Sequence, residues 1–130
     1  IDKVVSGQSF SINGEYATEN DQEIDNPYVS FNIRDAQGTL ITDLWNQGAG
    51  YLWEKLPGKG IIRCTINKCP LNEGTYFYSI YCKTGDLLLD RVIDAGKINV
   101  EKGDYFGSGK LPNTQFSKIL VDQNWELIKS

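Results

Sequence analysis

Apolar and polar positions along this chain alternate again and again with a period of two, the pattern of half-buried β-strands. Phe10, Ile12 and Tyr16 fall on one face of residues 8–16, and Gly14 marks a bulge or a close approach of another backbone. Val29, Phe31 and Ile33 share a face of 28–34. The polar turn Asp35-Ala36-Gln37-Gly38 follows, and Leu40 to Trp45 returns, so a hairpin is expected there. Ile62, Cys64 and Ile66 line one face of 61–67, with Arg63 and Thr65 on the other. Residues 75–83 (TYFYSIYCK) form the strongest strand, dividing into Tyr76/Tyr78/Ile80/Cys82 and Phe77/Ser79/Tyr81. Thr84-Gly85-Asp86 turns the chain. Leu87–Val92 returns, Ala95–Val100 makes a further short strand, and 119–128 supplies a last one ending near Trp125. No stretch carries a sustained helical pattern. The expected fold is all-β: an antiparallel β-sandwich of immunoglobulin-like or jelly-roll type.

Residues 61–67 and 75–83 are expected to pair antiparallel through the 68–74 connection. One face of that pair then carries Ile62, Cys64, Ile66, Tyr76, Tyr78 and Ile80 into the core. The other brings Arg63 and Thr65 beside Phe77, Ser79 and Tyr81. Rings for the apolar face of a pyranose, with arginine and hydroxyl groups around them, make a saccharide platform. The plainer alternative puts Phe77 and Tyr81 under a loop or in a dimer interface. A second candidate is Trp45, Tyr51 and Trp53 at the loop end of the sandwich, where Tyr51 and Trp53 of the glycine-containing loop 46–60 either clamp a sugar or cap an open end. Trp45 directly follows a strand and is expected in the core.

With 130 residues the chain suits one domain, and about two-thirds of its unfolded surface can be buried without a staple. Net charge is −4, and the 13 basic residues are scattered rather than striped, which argues against nucleic acid. There is no histidine, so Ser-His and Cys-His pairs and His-containing metal sites drop out together. Three cysteines, an odd number, and the lack of an Asn-x-Ser/Thr sequon fit a reducing compartment better than a secreted framework. Cys64 and Cys82 read as small core residues. Asp21, Glu23 and Asp25 are spaced like the start of a calcium loop, but Asn26 and Asn32 stand where glycine and glutamate are required, leaving an ordinary solvated stretch. Gly107-Ser108-Gly109-Lys110 fails as a phosphate loop at Asp104 and Leu111. The chain contains no Met and begins Ile1-Asp2-Lys3, as a domain cut from a longer protein would.

Several signals fall in one order: Gly7-Gln8-Ser9-Phe10-Ser11-Ile12; Asn26-Pro27-Tyr28-Val29-Ser30-Phe31-Asn32-Ile33-Arg34-Asp35 running into Gly38; Leu71-x-x-Gly74-Thr75-Tyr76; Asp94-Ala95 before Ile98-Asn99-Val100; Gly103-Asp104-Tyr105-Phe106-Gly107-Ser108-Gly109; and Val121-Asp122-x-x-Trp125. This ordered set resembles the C-terminal domain of Wzt, the ATPase subunit of O-antigen polysaccharide ABC transporters. The resemblance implies one carbohydrate-binding sandwich over 1–130, dimeric, with a tail at 112–130 exchanged between copies and Trp125 packing on the partner. It implies O-antigen polysaccharide as ligand, near its non-reducing end. A nucleotide-binding domain of the same chain and the transporter's membrane subunit would be partners, at the cytoplasmic face of the inner membrane. ATP would bind the preceding domain, and no cofactor is expected in this one. The runner-up is a structural or adhesive sandwich module of a cell-envelope protein without a glycan site. An enzyme comes third, since no pair of carboxylates is marked out by context.

Overall fold

Between Pro27 and Asp35 every odd position is buried, so the strand through them presents Val29, Phe31 and Ile33 to a core and Tyr28, Ser30, Asn32 and Arg34 to the other side. The computed structural model describes residues 3–128. Its strands are β1 (Lys3–Val5), β2 (Phe10–Ala17), β3 (Ile24–Asp25), β4 (Pro27–Asp35), β5 (Leu40–Trp45), β6 (Lys55–Leu56), β7 (Lys59–Ile66), β8 (Gly74–Thr84) and β9 (Leu87–Glu101). A five-stranded sheet runs β1-β9-β8-β4-β5, β2 pairs with β7, and β3 pairs with β6. No helix among the described residues is long and apolar enough to cross a membrane.

The all-β reading holds, with one departure from a purely antiparallel layout: β1 runs parallel to β9, pairing Val4 with Val100. The expected β4–β5 hairpin is present, and Asp35 closes its turn by accepting from Gln37 N and Thr39 N. Gly38 adopts φ +86 there, a left-handed conformation that glycine enters without steric cost. Gly14 marks neither a bulge nor a close backbone approach: β2 keeps its register with β7 through it, and a Cβ on it would make ordinary contact with the Phe31 ring at 3.4 Å. The returning segment after Gly85 is one strand, not two, and the irregularity is absorbed by register shifts against β8.

The 61–67 and 75–83 pairing is corrected. β7 pairs with β2 in one sheet, whereas β8 lies between β4 and β9 in the other. The connection between them is not a hairpin turn. Cys69 N donates to Gln8 O and Gly7 N to Cys69 O, and then Asn72 N donates to Lys118 O, so the chain is tied down while it crosses between sheets. The inward residues are nevertheless those expected. Phe10 and Ile12 of β2 pack with Phe31 and Ile33 of β4, Tyr76 of β8 and Ile98 of β9, with Cys64, Ile66, Tyr78 and Ile80 against them. Ile62 and Cys82 join a smaller cluster around Ile24, Val29 and Leu56.

After β9 the chain forms no further strand among the described residues. The strand expected over 119–128 is reduced to one bridge, Leu71 with Ile119, and a buried Leu120. Beyond it Val121, Trp125, Leu127 and Ile128 are exposed.

Candidate functional site

β5 is the outermost strand of the large sheet, and β7 has a partner only on its β2 side, so the sandwich is open between these two edges. A groove of about 740 Å³ lies there. Val29, Phe31, Leu44, Cys64 and Ile66 line it together with Asp43, Trp45, Asn46, Tyr51, Trp53, Arg63 and Thr65. Four of the residues singled out from sequence, Tyr51, Trp53, Arg63 and Thr65, thus come together, although the loop and the strand were expected to form separate sites.

Local bonding sets each wall. Asn46 accepts from Val29 N at 2.7 Å and donates to Pro27 O and Tyr51 O, fastening the 46–53 loop to the end of β4. The loop can lie against Trp45 because residue 48 is glycine: a Cβ there would come within 2.3 Å of the indole. The rings of Tyr51 and Trp53 tilt toward one another with centroids 6.5 Å apart. Opposite, Arg63 Nε donates to Asn13 Oδ1 at 2.9 Å, and Thr65 shares a hydrogen bond with Ser11. Asp43 Oδ1 accepts from Asn32 Nδ2 and from the Ser30 hydroxyl. Burial pushes the Cys64 thiol up from its ordinary value, which keeps it protonated and a poor nucleophile.

Phe77, Ser79 and Tyr81 stand elsewhere, a correction to the expected cluster with Arg63 and Thr65. They lie on the outer face of the large sheet, where β4 places Arg34, Asn32 and Ser30 directly opposite them. The physical reason is the topology: with β7 in the facing sheet, its outward residues point away from those of β8. Trp45 is also corrected. It is 42% exposed rather than in the core, because β5 is an edge strand, and it packs against Tyr28 with ring centroids 5.5 Å apart. Trp45 and Asp43 line the groove and also belong to the outer face, opposite Ser30 and Asn32. Sequence reasoning assigned Trp45 to the core and missed Asp43 and Asn46. The available signal was an aromatic and an amide directly preceding a Gly-Ala-Gly run, which lets a loop fold back onto them.

The matching family model is the Wzt C-terminal domain, over residues 1–111. No curated protein matches the chain. Among solved structures it is similar to one described as the crystal structure of the C-terminal domain of wzt, at 15% identity and a TM-score of 0.67, covering 97% of this chain and 74% of that one.

Proposed function

The chain belongs to the Wzt C-terminal domain family, and from that premise we propose that it is a non-catalytic module that binds O-antigen polysaccharide and couples the finished glycan to ABC-transporter export. Family membership supports a carbohydrate-binding role in O-antigen ABC transport. The observation that carries the choice of site is the convergence of Trp45, Tyr51 and Trp53 with Asp43, Asn46, Arg63 and Thr65 on one groove. Indole and phenol rings cover the C–H face of a pyranose, and the amide, hydroxyl and charged groups meet its ring of hydroxyls. A volume of about 740 Å³ suits a few sugar units, and the family resemblance favours the non-reducing end of the glycan as the part bound. An open groove buries only part of its ligand, which keeps single-site affinity modest, and two sites in a dimer compensate through avidity. The exposed apolar residues of 121–128 favour a tail exchanged between two copies. In this reading the module sits at the cytoplasmic face of the inner membrane, held there through the nucleotide-binding domain and the membrane subunit.

Titration with the host's own O-polysaccharide tests this. Trp53→Ala is expected to weaken binding by about tenfold or more, the scale of one aromatic anchor, with the melting temperature unchanged. Loss of binding in Tyr81→Ala, with Trp53→Ala neutral, would move the site to the sheet face. A wild-type chain that binds no polysaccharide would favour the structural or adhesive module.

A further inference from the structure

With 17 acidic and 13 basic residues, this chain has a surplus of carboxylates to pair with its cations. Among the described residues, that pairing does not occur on the outer face of the large sheet. The β4–β8–β9 register lays out the row Arg34–Phe77–Lys97, and four residues along β4 and β8 the row Ser30–Tyr81–Arg91, with Tyr28 opposite Lys83 beyond. Among the described residues none of Arg34, Lys83, Arg91 and Lys97 lies within 4.0 Å of a carboxylate; the ion pairs are made by Lys3, Lys55, Lys68, Lys102 and Lys118. Asp43, a described carboxylate on this face, has its Oδ1 already taken by Ser30 and Asn32. Glu101, at the far end of the sheet, is taken by Lys3.

The cations are also interleaved with rings. Lys83 Nζ lies 4.6 Å from the centroid of the Tyr28 ring, and Phe77 and Tyr81 are half-buried between the basic side chains. Arg34 is oriented by a hydrogen bond from Nη1 to Gly38 O at 3.1 Å. Neighbouring strands are about 4.8 Å apart, so Arg34 and Lys97 flank Phe77 across roughly 10 Å. A ring stacked on Phe77 would have a cation on each side, and one stacked on Tyr81 would have Arg91 beside it. Like charges gathered on one sheet face repel one another, and an anion placed among them relieves that repulsion and forms charge-assisted hydrogen bonds.

We propose that this outer face reads an acidic group, a carboxylate or phosphate, carried by the glycan. The inference rests on the carbohydrate reading above and names the class of sugar that reading leaves open. Its test is an array of bacterial polysaccharides, some neutral and some bearing uronic acids or phosphate, probed with the wild-type chain and with the double variant Arg34→Gln/Arg91→Gln. The acid-bearing polysaccharides are expected to dominate the wild-type signal, to bind about tenfold more weakly at 0.5 M than at 0.05 M salt because the charges are screened, and to be lost in the double variant. Equal capture of neutral and acidic polysaccharides would overturn the proposal, and so would undiminished acidic binding by the double variant. Capture of no polysaccharide of either kind would remove the carbohydrate reading itself and this inference with it. Unchanged thermal melting of the double variant keeps its loss of binding from being a loss of fold, and Lys97→Gln repeats the test at an exposed position.

Discussion

Asp35 is 5% exposed and still carries a charge, because Lys118 Nζ, Thr39 N and Gln37 N all donate to it. The Lys118 hydrogen bond, helped by the Thr39 amide, holds its carboxyl below the ordinary value of 3.8. The folded chain therefore binds that proton more weakly than the unfolded chain. The resulting stabilisation is complete above the unfolded value and is lost as pH falls through the lower, folded one. Lys118→Met removes the leading cause, so acid unfolding of that variant is expected to begin at a higher pH than in the wild type, as circular dichroism from pH 7 down to pH 2 would record. If the two acid transitions coincide, the pair does not act this way. Ile33 presents the apolar counterpart. At 1% exposure in the core between the sheets, its truncation in Ile33→Ala is expected to cost about 2–5 kcal/mol, measured by denaturant unfolding.

The segment from 113 to 120 has no regular strand, yet it is an integral element. Asn72 Nδ2 donates to Ser117 O, Asn72 N donates to Lys118 O, and Leu120 N donates to Pro70 O, with Leu120 itself 3% exposed. Just beyond it, Lys68 Nζ reaches Asp122 at 2.6 Å and lies over the Tyr105 ring. A chain ending at Pro112 is therefore expected to melt at a clearly lower temperature than one ending at Asp122, which keeps the contacts of 113–122. Of the described residues, the second cut removes only exposed ones. Sedimentation of the Asp122-terminated chain then isolates the tail: if 123–128 cross to a second copy, that chain sediments as a monomer where the full chain is a dimer. A full chain that is already monomeric would dismiss the exchange.

For the molecule as a whole, the period-two pattern made burial legible without making pairing legible. Ile62, Cys64, Ile66, Tyr76, Tyr78 and Ile80 point into the interior whether β7 and β8 are neighbours in one sheet or face each other from two. Alternation cannot separate those cases, since it reports a face and not a partner. What decides is the anchoring of 68–74 to Gln8 and Lys118, contacts between residues far apart in the chain. For the same reason Arg63 and Thr65 were placed beside the wrong aromatic residues, while Tyr51 and Trp53 needed only their local glycine-bounded setting to stand out. Trp45 was misjudged because edge and central strands read alike. The outcome places all three indoles at the surface, Trp45 at 42%, Trp53 at 36% and Trp125 at 84% exposure, the first two lining one groove and the third on the tail. Intrinsic emission of the folded chain should already resemble that of water-bathed tryptophan, so denaturation will shift it little. A blue shift in variants that retain a single indole would instead separate a filled groove, reported by Trp45 or Trp53, from a covered tail, reported by Trp125.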